Sequence, residues 1–378
     1  VIETVKPAWI LGPAPEPLAP DVSKRINALC VVLICLIVLA NGARGITVRI
    51  FGETAPGAAL MLDIVNGHVY FVAVSLLFAI AGFWFLRDLE LSLPAYGALL
   101  RRRGLPLLVP YILFNAALAV WFFCTGSVAT PNSWSALAGE GLFANIFGIG
   151  VPPINAPLWI LRDLLVFLGI APLFLLFFKE APGVSLIALF CLWARASEGP
   201  FSYSGAMFAF YLGGYLARRR VPLGGVSWWQ RAGTWAFVLV TGILVWHAPL
   251  GLADASVRQF LFKTNIVFGL AAFWRLSAIH VLQDSAVLGR LGRHIFFVFL
   301  AHEPALAALQ IWLLAVWRPT GSAQQIAFYG LSGLTAFLGL WLAAALLLRL
   351  APSAYGVMTG TGPQSAWSAF MPPSRVGR

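Results

Sequence analysis

Apolar residues in this chain gather into long runs separated by short polar punctuation. Each run is near the ~20 residues a helix needs to cross a ~30 Å hydrocarbon layer. The runs fall near 26–43, 64–86, 105–125, 158–178, 183–197, 202–217, 233–250, 261–281, 294–316 and 327–348. They are rich in Leu, Ala, Gly, Phe and Trp and lack the two-residue alternation of a membrane barrel strand. A helix satisfies its own backbone hydrogen bonds in lipid, so helices are the expected spanning element. The pattern predicts an all-α fold: a polytopic membrane bundle of about ten transmembrane helices over residues 24–350. A flexible proline-rich tail at 1–23 precedes it and a flexible polar tail at 351–378 follows it. The first run follows Lys24-Arg25 and ends in small residues, as a signal peptide would. Its length favours a retained helix. No internal repeat is visible.

Composition agrees with lipid as the main solvent. Hydrophobic residues make up 60% of the chain and charged ones 10%, and mean hydropathy is +0.86, whereas about a quarter of a soluble domain is charged. The net charge of +11 changes the picture only through its placement. With a cytoplasmic N-terminus, the inner segments hold most of the 25 basic residues, in groups such as Lys24-Arg25, Arg101 to Arg103, Arg218 to Arg220 and Arg290 with Arg293. The outer segments hold Arg44, Arg49, Arg195, Arg258 and Arg318. This bias matches the positive-inside rule and predicts an inner-membrane protein with both termini cytoplasmic. It leaves the bilayer, and not nucleic acid, as the partner the basicity serves. The cysteines Cys30, Cys35, Cys124 and Cys191 lie in or at the ends of apolar runs without metal-ligand spacing, and no metal site is expected. No G-x-x-x-x-G-K-[ST] loop is present, which argues against ATP hydrolysis.

Three stretches carry a more specific pattern. SLLFAIAGFWF at 75–85 is a phenylalanine-rich run ending in Gly82-Phe83, and RRRGLPLLVPY at 101–111 follows it. PLWILRDLLVFLGIAPL spans 157–173 and places Arg162-Asp163 near the start of a helix. HIFFVFLAHEPAL spans 294–306 and ends in His302, Glu303 and Pro304. In order and spacing, residues 24–350 resemble the membrane-bound acyltransferase 3 family. The resemblance implies transfer of an acyl group, usually acetyl from acetyl-CoA, to a hydroxyl of an envelope carbohydrate or lipid-linked precursor. It implies an acyl-CoA donor substrate, a carbohydrate acceptor and no bound cofactor. The family pattern also has a histidine at the end of the first helix and an arginine eleven residues before it, about three helical turns, so that both face one groove. Here Asn41 stands at the histidine position and Cys30 at the arginine position.

A hydroxyl is a poor nucleophile at neutral pH and needs a base. Asn41 can hold a hydroxyl but cannot take its proton. Among His68, His247, His280, His294 and His302, the last is the best-placed base, since it lies within a span beside Glu303 and before Pro304. The other reading of His302 and Glu303 is polar pairing between helices. Arg162 and Asp163 are costly inside a span, by ~2.5–3.5 kcal/mol on insertion scales, and are candidates for a cavity or an ion pair. Adjacent helical residues point about 100° apart, so different partners are expected for these two, with Glu303 as one of them. Arg101, Arg102 and Arg103 suit either a topology anchor or a site for coenzyme A phosphates. Arg275 reads as paired or snorkelling, and Glu53 and Asp63 as solvated or glycan-touching. Two non-enzymatic readings stay open: a transporter or flippase of a glycan intermediate, and a non-catalytic relative.

Overall fold

The structure is a computed structural model that describes residues 20–44, 54–87, 89–125, 141–195, 203–247 and 254–360. Among these the chain is helical, with no strand. The long helices are α1 (Pro20–Arg44), α2 (Pro56–Leu86) and α3 (Leu93–Cys124). After the short α4 (Leu142–Phe147) come α5 (Ala156–Gly169), α6 (Ala171–Glu180), α7 (Pro182–Arg195), α8 (Tyr203–Arg218), α9 (Trp228–His247) and α10 (Ala255–Leu276). The short α11 (His280–Gln283) and α12 (Ala286–Gly292) lead to α13 (Ile295–Val316), α14 (Ser322–Leu350) and α15 (Pro352–Met358).

Helices occupy all ten expected stretches, and the chain is a multi-pass membrane protein. Among the described residues five helices, α1, α2, α3, α13 and α14, are long and apolar enough to cross a membrane, and six if α5 and α6 together form one span. The other four, as far as they are described, fall short for local reasons. Among the described residues α7 has 14 residues and α8 has 16, under the length of a straight crossing. α10 carries Arg258, Lys263 and Arg275, and α9 has Gln230 and Arg231 in its first turn. The expected single span at 158–178 is broken by a 59° bend between α5 and α6. Pro172, which lacks an N–H, follows Gly169 and Ile170 there, so the helical ladder cannot run through.

α1 packs on α2, α13 and α14 in the centre, and α8 packs tightly on α2. That last contact explains the Gly82 of the 75–85 stretch. A Cβ on Gly82 would sit 1.9 Å from the Phe210 carbonyl oxygen, and one on Gly213 would sit 1.8 Å from that of Ala79. Small residues let two backbones approach where lipid supplies no hydrophobic drive. Gly82→Ala or Gly213→Ala is therefore expected to cost at least the ~1–3 kcal/mol of overpacking, since backbone cannot yield as a side chain can. Melting in detergent checks this against Gly242→Ala, where nothing lies within 4 Å of the added carbon. A melt unchanged in all three would refute the close-approach argument.

Two π-helical turns interrupt the long helices, at Asp63–Val69 in α2 and Leu100–Gly104 in α3. The second presents Arg101 to Arg103, and the Arg103 guanidinium lies over the Phe85 ring at 5.8 Å. The tail expected from residue 351 starts instead as α15. Its buried Tyr355 stacks on Phe297, with ring centroids 6.2 Å apart, and bonds His294 Nδ1 at 3.0 Å. Burial pushes the Tyr355 phenol up to about 12, so it stays protonated and donates to the Arg293 carbonyl. Residues 1–19 and 361–378 of the expected tails, Arg49, Glu53 and residues 126–140 lie outside the described residues.

Candidate functional site

α1 and α13 meet at a pair of polar side chains. Asn41 is 8% exposed and His302 is fully buried. His302 Nδ1 lies 2.7 Å from the Phe299 carbonyl oxygen, and its Nε2 lies 2.9 Å from Asn41 Nδ2. A carbonyl only accepts, so Nδ1 carries the proton and donates it. Nε2 is then the lone-pair nitrogen, and the Asn41 amide donates to it. One hydrogen bond thus fixes the tautomer and the other marks the basic atom.

The surrounding backbone is arranged by the same few residues. Pro304 has no N–H, which leaves the Leu300 carbonyl, four residues earlier, without its helical donor. Asn155 Nδ2 supplies one at 3.0 Å. Asn155 is held in turn by its own N–H donating to Asn115 Oδ1 at 3.0 Å. At the end of α1 the last carbonyls also lack helical donors. Gln310 Nε2 bonds the Gly42 carbonyl at 2.6 Å and Ser332 Oγ at 3.2 Å. The C-terminal end of α1 is therefore tied to α13 by two side chains, and Asn41 is held facing His302.

Arg162 and Asp163 bond each other, contrary to the expectation of separate partners, with Arg162 Nε 3.1 Å from Asp163 Oδ1. The Arg162 side chain is long enough to curl back to its neighbour, which the angular argument from Cα positions overlooked. Its Nη1 also donates to the carbonyls of Gly148, at 2.7 Å, and Val151, at 3.3 Å. It thereby clamps the turn that leads to Asn155. Gly148 has φ +65°, and a Cβ there would meet Arg162 Nη1 at 2.8 Å, so the position suits glycine twice over. Asp163 is fully buried, and its Oδ2 has no hydrogen-bond partner among the described residues. Asn155 Oδ1 is likewise buried and unpaired. Two buried acceptor atoms in this region thus lack a donor among the described residues. Glu303, next to His302 in the chain, is part-buried on α13.

The basic groups near the helix ends lie elsewhere. Arg103 over Phe85, Arg218 donating to the Leu86 and Leu89 carbonyls, and Arg25 share one end of the bundle. Sixteen residues of α1 separate Arg25 from Asn41, ~24 Å of helix. Arg101 and Arg102 are exposed. Arg25 is almost fully buried. It donates to Ser277 Oγ and to the carbonyls of Leu223, Gly225 and Trp274, and its guanidinium lies 4.6 Å from the Trp274 ring centroid. Cys30 is buried among apolar side chains of the core. A second polar group joins α2, α9 and α10, where Asn265 Nδ2 bonds Thr241 Oγ1 at 2.8 Å and approaches His68 Nδ1 at 3.4 Å. The buried Lys263 donates to the Trp193 carbonyl at 2.7 Å.

Arg25, Asn115, Asn155 and Gln310 carry structural roles that the sequence reading did not assign. Asn115 and Gln310 did give a signal, since each is an amide inside an otherwise apolar run. Arg25 gave none, because a basic residue at a helix start is what topology alone requires.

A fixed-tautomer imidazole, sealed where two membrane helices meet, defines a polytopic membrane protein with a proton acceptor in its interior. The chain belongs to the acyltransferase 3 family, whose acyltransferase domain matches residues 24–346. It is a membrane acyltransferase. It is also similar to the succinoglycan biosynthesis protein ExoH of Rhizobium meliloti (strain 1021), with 26% identity over 380 residues that cover 93% of this chain and 96% of that protein. No solved structure matches the chain.

Proposed function

We propose that this chain is an inner-membrane O-acyltransferase that moves an acyl group, acetyl in the simplest case, from acyl-CoA to a hydroxyl of a cell-envelope carbohydrate. The observation that carries the reading is the Asn41–His302 contact with its fixed tautomer. In the resting protein the Asn41 amide occupies His302 Nε2. An acceptor hydroxyl that displaces the amide gives its proton to Nε2, while its oxygen attacks the thioester carbonyl carbon. The C–S bond then breaks, the acyl group becomes an ester on the acceptor, and the proton leaves with the thiol. Asn41, freed from Nε2, holds the hydroxyl oxygen with its N–H. Asp163 Oδ2 and Asn155 Oδ1 accept from other donors of the acceptor or the donor's amide arm. Glu303 completes the polar surroundings of His302.

Arg101, Arg102 and Arg103 take the coenzyme A phosphates at the cytoplasmic end. Their separation from His302 suits a donor whose phosphates and thioester lie at opposite ends of a long arm. The name of the similar protein, which ties it to succinoglycan biosynthesis, supports a polysaccharide acceptor. With both termini cytoplasmic, reporter fusions near 103, 220 and 290 are expected inside and one near 140 outside. An outside location for Arg218 to Arg220 would refute this topology. Neutralising Arg101 to Arg103 is expected to weaken acyl-CoA binding in folded protein, and unchanged binding in the triple variant would leave them as anchors.

Purified protein in liposomes, given acetyl-CoA and a soluble glycan, tests the function. Acceptor-dependent release of free thiol is the expected result. Glycan flux across the liposome membrane without thiol release would replace transfer by transport.

A further inference from the structure

A cavity of about 470 Å³ with almost wholly apolar walls lies between two helix pairs. α8 is locked on α2 by the Gly82 and Gly213 contacts, and α9 packs on α10. The cavity is the space left between α8 and α9, closed behind by α2 and α10. Its existence follows from the sequence of α9. The cavity face carries Ala232, Gly233 and Ala236, while large residues such as Trp235, Leu239 and Trp246 are exposed elsewhere on the helix. Side chains that would fill the gap are absent from one face.

The wall residues run from Trp228 to Ala236 on α9, from Val267 to Trp274 on α10 and from Leu76 to Phe83 on α2. Seven or eight residues of helix give a depth of ~10–12 Å. One end is basic and aromatic. Trp228 and Trp229 line it and are exposed, as rings at a membrane–water interface are. Arg219, Arg220 and Arg231 are exposed on the segments that flank Leu223 and Trp228. Arg25 stacks on Trp274, which also lines the cavity.

An apolar slot with a cationic rim matches a molecule with an aliphatic chain and an anionic head. We propose that this cavity holds one acyl chain of an anionic phospholipid from the surrounding leaflet, with its phosphate at Arg219, Arg220 and Arg231. The site is separate from the Asn41–His302 pair and does not depend on the reaction assigned to it. The lipid fills the gap between the helix pairs and couples them as side chains would in a closed core.

Native mass spectrometry of the full chain, released from nanodiscs of mixed phosphatidylcholine and phosphatidylglycerol, reads the occupancy directly. The expected result is one phosphatidylglycerol retained per chain in preference to phosphatidylcholine. Ala236→Phe fills the slot and is expected to lose the lipid, and Ala236→Leu covers the case in which the larger ring prevents folding. Arg219→Gln with Arg231→Gln is expected to abolish the headgroup preference. Equal retention of both lipids, or unchanged retention by folded Ala236→Leu and Ala236→Phe, would overturn the proposal. So would displacement of the lipid by stoichiometric long-chain acyl-CoA or polyprenyl phosphate, which would assign the slot to that amphiphile.

Discussion

Turnover by His302→Gln is expected to fall by roughly 10²–10⁴-fold with little loss of folded protein. Glutamine keeps a donor for the Phe299 carbonyl and an acceptor for the Asn41 amide, so both bonds that locate the side chain can persist. It removes the one property a base needs, a ring-nitrogen lone pair that can take the hydroxyl proton as the oxygen attacks. A purely structural His302 reverses the order, with stability lost first and activity per folded molecule kept. Transfer rate and thermal melting in one detergent separate the two. Near wild-type transfer by folded His302→Gln would eliminate this imidazole as the base. Asn41→His is informative beside it, because an imidazole there faces the same Nε2 atom. Transfer that appears only in Asn41→His would mark a chain that has lost its catalyst.

The second large effect concerns stability. Arg162→Met is expected to destabilise by about 3–5 kcal/mol, because it leaves the fully buried Asp163 carboxylate without its cation. It also removes the donors that Gly148 and Val151 use, which frees the turn before Asn155. The double variant Arg162→Met, Asp163→Leu removes the charge together with its partner. It is expected to be more stable than Arg162→Met alone, and this non-additivity is what a coupled pair shows. Equal melting of the single and double variants would mean that Asp163 is not held by Arg162.

Much of this fold was legible from residue pattern alone. Every expected apolar run is helical where it is described, since runs of that length in lipid have no other way to satisfy their backbone. The number of crossings was less legible. The runs at 183–197 and 202–217 are described only over 183–195 and 203–217, and Pro172 divides the run at 158–178, so apolar content alone does not fix how many of the helices cross. Asn41 and His302 were singled out separately, one from its place in the family pattern and the other from its setting in a span. Their contact was not readable, because 261 residues separate them and it depends on how α1 crosses α13. The Arg162–Asp163 pair was missed for the opposite reason. Backbone geometry separates adjacent side chains, and a flexible guanidinium arm brought them together. The role of Asn155 follows from Pro304 only once the structure shows which side chain reaches the freed Leu300 carbonyl.

The central claim is that the Asn41–His302 pair is where an acyl group passes from a thioester to a sugar hydroxyl. Mass analysis of the glycan after incubation with purified protein and isotope-labelled acetyl-CoA tests it most directly. The account predicts a labelled ester on the glycan with wild-type protein and its near absence with folded His302→Gln. The same ester yield from both proteins, or no ester from the wild type with a competent acceptor, would contradict it.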